Sequence, residues 1–229
     1  MEIALIILCA VFAVLFLVVR VKVGGFWGLI TKTLASFAFV SAGVFSLINA
    51  TNFNNSIVFV ILGLTSGLIG DILLDLKVIY RQDNKKFLNA GMTSFGIGHI
   101  FYFISLIMLT SPNMTFLSVI ISVLAAIGLS LLIMQAGKLM KLNFKGFYLQ
   151  ILSYTFILTF LSIISFWQAT INASLIPFFL GTFLIWLSDL VLSKMYFGGK
   201  GNDNILCIIN HALYYAGQIS IAAFLLFAF

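Results

Sequence analysis

Charge is the scarcest resource in this chain. Of 229 residues only 8% are charged, six acidic and twelve basic, where a soluble domain carries roughly a quarter. Too little polar surface is left for water to dissolve the chain, which excludes a soluble enzyme, a nucleic-acid reader, a secreted disulfide scaffold and a disordered tail. Histidine and cysteine are equally sparse, two of each. Two histidines cannot build the three-histidine zinc site that some membrane lipid hydrolases use. Nor does the chain contain HExxH, a CxxC pair, GxGxxG or GxxxxGK[ST]. Cys9 and Cys207 both lie in apolar runs and read as packing residues rather than a disulfide or metal site. Neither a metal nor another cofactor is expected.

What is abundant is apolar length. Hydrophobic residues make up 62% of the chain and the mean hydropathy is +1.20. Apolar runs separated by polar breaks predict eight spans at about 3–19, 33–50, 57–76, 87–110, 115–137, 146–168, 175–195 and 205–228, each near the length that crosses a bilayer. The second span has an earlier possible start, because Gly24, Gly25 and Trp27 look interfacial. The breaks are short, as at 51–56 (TNFNNS), 111–114 (SPNM) and 196–204 (YFGGKGNDN). A backbone in lipid must satisfy its own hydrogen bonds, so these spans are helices or a closed barrel. Long apolar runs without two-residue alternation decide for helices. The expected fold is all-α: a polytopic membrane protein of eight transmembrane helices in a single membrane domain. The first run follows Glu2 rather than lysines and has no small-residue cleavage site after it, so it is expected to stay as a membrane helix.

The net charge of +6 suggests nucleic acid, but the basic residues fall singly in short loops. Arg20, Lys22 and Lys32 are placed between spans one and two, and Lys77, Arg81, Lys85 and Lys86 between three and four. Lys138, Lys141 and Lys145 fall between five and six, and Lys194 and Lys200 between seven and eight. The alternate breaks carry none. The excess of positive charge on cytoplasmic loops then places both termini outside and these four loops inside. The expected partner is the lipid bilayer, and no nucleic acid.

Ionisable groups within spans are functional candidates by default, since a charge at the bilayer centre costs about 2.5–3.5 kcal/mol on insertion scales. Here they are Asp71, Asp75, His99, Asp189 and His211. Asp71 and Asp189 each sit five or six residues before the first lysine of their loop, about 8–9 Å of helix, and so at matching depth toward the cytoplasmic leaflet. Asp75 lies one turn from Asp71 on the same face. Structural readings compete: Asp75 as an interfacial residue pairing with Lys77 or Arg81, Asp71 as a helix–helix hydrogen bond beside Gly63, Gly67 and Gly70, and the histidines as satisfied core residues.

A weak repeat bears on these alternatives. Gly70-Asp71-Ile-Leu-Leu-Asp75-Leu-Lys77 resembles Ser188-Asp189-Leu-Val-Leu-Ser193-Lys194, and the next helix in each case carries His-x-x-Tyr, as His99 to Tyr102 and His211 to Tyr214. This suggests two four-helix halves, 1–114 and 115–229, related by an axis along the membrane normal. In the eighth span His211, Tyr214 and Gln218 recur on one face, with Asn210 and Tyr215 alongside. That polar stripe is expected to look into the bundle or a wet cavity.

At these residues the chain resembles the YhhN family of integral membrane proteins, whose animal members are the lysoplasmalogenases. The matching elements are Gly70-Asp71 and the Leu-rich turn after it, residues 87–102 (FLNAGMTSFGIGHIFY), Ser188-Asp189 with Tyr196-Phe197 beyond, and the closing Tyr214-Tyr215-Ala-Gly-Gln218. They run in the family's order from the third span to the last. Asn210-His211 matches no part of the family pattern. The resemblance implies a metal-independent hydrolase of the lysoplasmalogen vinyl ether, so that the partner is a membrane lysophospholipid. Its products are a fatty aldehyde and a glycerophospho-ethanolamine or -choline. The chemistry needs proton delivery to the alkene carbon, stabilisation of an oxocarbenium and addition of water, work suited to two carboxyl groups in different protonation states. An apolar setting for a carboxyl suits a proton donor. Asp71 and Asp189 are the expected pair, with His99, Tyr102, His211, Tyr214, Tyr215 and Gln218 positioning the substrate and water. The bacterial cytoplasmic membrane is the expected location. Two rivals stay open: a small-solute or proton-coupled transporter using the same Asp and His residues, and a non-catalytic lipid-binding protein.

Overall fold

The computed structural model describes residues 1–50, 54–111, 114–201 and 203–228; of the expected breaks 51–56, 111–114 and 196–204, residues 51–53, 112–113 and 202 lie outside them. Among the described residues the chain forms eight α-helices and no strand. They are α1 (Glu2–Lys22), α2 (Gly25–Asn49), α3 (Asn55–Ile79), α4 (Asn84–Thr110), α5 (Phe116–Leu139), α6 (Tyr148–Ile171), α7 (Ile176–Phe197) and α8 (Asn204–Ala228). All eight are long and apolar enough to span a bilayer, so the chain is an all-α integral membrane protein.

Local chemistry starts the helices. The Asn54 side chain accepts from Ser56 N–H at 2.9 Å before α3, and Thr115 Oγ1 from Ser118 N–H at 3.1 Å before α5. Asp203 Oδ1 takes the N–H groups of Ile205 and Leu206 at 3.0 and 3.1 Å before α8. Each supplies an acceptor to donors that the first helical turn leaves unpaired. α7 carries Pro177 in its first turn, where a missing N–H costs nothing.

The second helix takes the earlier of its two expected starts. It begins at Gly25 rather than at 33, and the link from α1 is a tight turn through Gly24 (φ 66°) and Gly25 (φ 53°). Both lie in the left-handed region that glycine enters without steric cost. The consequence is that Lys32, expected in a loop, lies inside α2 and is 4% exposed.

The chain divides into two compact units, one of Met1–Leu109 with Gln218–Phe229, the other Thr110–Gly217. In the first, α3 and α4 approach closely because Gly63 and Gly70 face rings on α4. A Cβ at Gly63 would collide with Tyr102, and one at Gly70 would come within 2.7 Å of Phe95. The end of α8 closes on α2, where Ser46 Oγ donates to Leu225 O at 2.6 Å. In the second unit the α5–α6 loop is tied to the end of α7 by Asn143 N–H to Phe197 O at 2.8 Å, with the Phe197 ring 5.4 Å from Phe144. The outward faces of α1 and α5 stay apolar, with Val11, Val14 and Val18 on one and Leu124, Leu131 and Leu132 on the other exposed, as lipid requires.

Candidate functional site

In the first unit α2 and α3 bring a four-membered charge cluster together, with Arg20 reaching it from the end of α1. Asp71 is 2% exposed and Asp75 5%. The Lys32 ammonium stands between them, 3.1 Å from Asp71 Oδ1 and 3.5 Å from Asp75 Oδ1. Ser36, one turn beyond Lys32 on α2, donates its hydroxyl to Asp71 Oδ2 at 2.5 Å. Arg20 donates to Asp75 Oδ2. All four carboxylate oxygens thus have a donor or cation against them. Buried charges persist only with such compensation, because removing them from water costs more than an isolated pair returns.

These contacts add to two expectations. Asp75 is buried, and beyond Lys77, which feels its charge, its partners include Arg20 and Lys32. Asp71 does not sit in a merely apolar pocket, since an ammonium and a hydroxyl touch it. Arg20, Lys32 and Ser36 escaped the sequence reading because the basic residues read as topology markers. The available signal was a lysine flanked on both sides by apolar helix, with a serine one turn on.

A second group in the same unit joins three of the expected residues. Tyr102, 1% exposed, donates its hydroxyl to Gln218 Oε1 at 3.0 Å, linking α4 to α8. The His99 ring meets Tyr102 edge-on at 5.9 Å and an interplanar angle of 88°. His99 Nδ1 lies 2.6 Å from the Phe95 carbonyl. A carbonyl only accepts, so Nδ1 carries a proton and donates it to Phe95 O.

In the second unit Tyr154 of α6 donates to Asp189 Oδ2 at 2.5 Å. Tyr154 was also missed, being one tyrosine in an apolar span. The two aspartates are held alike: in each case a hydroxyl on the preceding helix, 35 residues earlier in the chain, donates to the carboxylate. His211 repeats the local bond of His99, with Nδ1 2.8 Å from Cys207 O. Asn210 Nδ2 donates to Ser188 O at 2.8 Å, tying α8 to the residue beside Asp189. Tyr214 and Tyr215 are 6% and 2% exposed, with ring centroids 5.2 Å apart. With Gln218 at 2% and His211 at 9% exposure, the polar stripe of α8 faces the protein interior, as its spacing implied. Among the described residues no three or more of His, Cys, Asp and Glu gather as metal ligands.

No curated protein and no solved structure matches the chain. Residues 27–225 match the YhhN family, which covers most of the chain and every candidate residue except Arg20. The chain belongs to the YhhN family.

Proposed function

We propose that this member of the YhhN family is a membrane-embedded hydrolase that cleaves the vinyl ether bond of a lysoplasmalogen. A carboxyl group protonates the alkene carbon remote from the ether oxygen, leaving an oxocarbenium ion. Water adds to the oxocarbenium carbon, the one bonded to the ether oxygen, and loses a proton; the resulting hemiacetal collapses to a fatty aldehyde and the free glycerol hydroxyl. No redox change occurs and no nucleophilic side chain is consumed.

The observation that carries this reading is Asp71, a carboxylate inside a membrane helix, held by Lys32 at 3.1 Å and Ser36 at 2.5 Å. Oriented in this way, an ion-paired carboxylate suits stabilisation of the cation and alignment of water. Proton delivery then falls to Asp189, whose carboxyl is fixed by the Tyr154 hydroxyl. Two carboxyl groups placed in different environments take different roles. His99, Tyr102, Gln218, His211, Tyr214 and Tyr215 position the substrate and water. The acyl-like chain lies among apolar helices, and the phosphate headgroup at the lysine-bearing ends, on the cytoplasmic leaflet.

The test uses the purified full chain in detergent with lysoplasmenyl-ethanolamine and lysoplasmenyl-choline, reading free fatty aldehyde. The parent should release aldehyde, and folded Asp71→Asn and Asp189→Asn variants should each lose about 10²-fold or more, the usual weight of a positioned acid or base. A folded parent that releases none from either lipid overturns the assignment and turns attention to transport.

A further inference from the structure

The α6–α7 packing of the second unit carries polar contacts along its whole length. Starting at the end that bears Lys194, Tyr154 donates to Asp189, Trp186 Nε1 donates to Thr159 Oγ1 at 2.9 Å, and Ser165 and Thr182 share a hydroxyl hydrogen bond at 2.9 Å. Ser162, Ser165 and Gln168 follow Tyr154 on one broad face of α6. Helix α5, which packs on α6, adds Ser118, Ser122 and Ser130, buried at four-residue steps with Ala126 among them. A seam of this kind faces protein rather than lipid: Ser165 is fully buried, Ser130 and Gln168 are 1% exposed and Ser162 is 6% exposed.

Part of the seam satisfies itself. Ser118 and Ser122 hydroxyls donate to the carbonyls of Thr115 and Ser118 at 2.7 and 2.8 Å, and Ser165 to that of Ser162 at 3.0 Å. Three atoms do not: Ser130 Oγ, Ser162 Oγ and Gln168 Nε2 are buried with no hydrogen-bond partner among the described residues. An amide or hydroxyl shut away from water is costly without a partner, and a bilayer interior offers none. Water meets the need of both donors and acceptors, and internal water collects where several polar groups converge.

We propose that the α5–α6–α7 interior holds internal water molecules hydrogen-bonded to Gln168 Nε2, Ser162 Oγ and Ser130 Oγ. They form a hydrated path from the Gln168 end of α6 to the Tyr154–Asp189 pair, about 21 Å of helix at 1.5 Å per residue. Vinyl ether cleavage consumes water and requires a reprotonated acid, and this path supplies Asp189 with both. That use rests on the proposed function; the hydration does not, and its test reads no activity.

The reporter is Met134, 2% exposed and one turn from Ser130 on the same face of α5. X-ray radiolysis of the full chain in lipid nanodiscs generates hydroxyl radical from water in place, so a side chain against internal water is oxidised although bulk solvent does not reach it. Mass spectrometry should find Met134 oxidised several-fold faster in the parent than in the Ser130→Ala/Ser162→Ala double variant. Equal rates in the two proteins overturn the proposal. A second measurement needs no reporter. If Gln168 is hydrated, Gln168→Leu leaves the melting temperature unchanged or lowers it; if the seam is dry, removing an orphaned amide raises it, and a rise overturns the proposal.

Discussion

Lys32 and Asp71 meet at 3.1 Å across the α2–α3 packing, both almost wholly buried. Neither residue is tolerable there alone. Lys32→Met therefore strands a buried carboxylate and should destabilise the protein by about 3–5 kcal/mol, the cost of breaking a buried pair from one side. Adding Asp71→Asn to Lys32→Met should recover part of that loss. Thermal melts of the four proteins in one detergent check the cycle, and strictly additive losses contradict it.

Tyr102 and Gln218 link α4 to α8 through a single hydroxyl-to-amide hydrogen bond. Tyr102→Phe should cost about 0.6 kcal/mol, the average for interhelical hydrogen bonds in a membrane. The double variant with Gln218→Leu should lose less than the sum of the singles. A double-mutant cycle that shows no coupling separates the two side chains.

Gly63 lies under the Tyr102 ring with no room for a Cβ. Gly63→Val should displace the ring, break its contact with Gln218 and destabilise by about 1–3 kcal/mol through overpacking. Gly128, with open space about its Cα, serves as the control, and Gly128→Ala should be close to neutral. Equal effects of the two substitutions refute the packing argument.

Asp203 accepts from two backbone N–H groups at the start of α8. Asp203→Ala should cost about 0.5–2 kcal/mol, and Asp203→Ser should recover most of it. Melting temperatures of the two variants against the parent decide this.

Topology is checked by cysteine labelling on a background of Cys9→Ala and Cys207→Ala. Glu2→Cys should react with an impermeant thiol reagent on intact cells, and Lys141→Cys only after permeabilisation. The reverse pattern inverts the orientation.

Much of the fold is legible along the chain because each span is a property of one helix. Lipid imposes apolar length and backbone self-satisfaction on a segment irrespective of its neighbours, so eight runs of sequence became eight helices. Asp71 and Asp189 stood out for the same reason, as charges in segments that should have none. The stripe of His211, Tyr214 and Gln218 was visible in helical spacing, and its residues are buried. The start of α2 was not: apolar residues and glycines on both sides of Lys32 fit either a loop end or a helix interior. Only the positive-φ turn at Gly24 and Gly25 settles it.

By itself, then, the sequence determined the class, the number of helices and the aspartates and histidines within them, since hydropathy and periodicity act on single segments. Tertiary structure alone decided the partners. Whether Asp71 meets a lysine, a hydroxyl or only apolar side chains depends on which face of α2 turns toward α3. That choice is made by packing between helices whose sequences carry no mark of each other. Lys32, Ser36 and Tyr154 acquire their meaning from that packing. The same holds for Gln168 Nε2, ordinary in sequence and conspicuous only once packing has buried it away from any partner among the described residues.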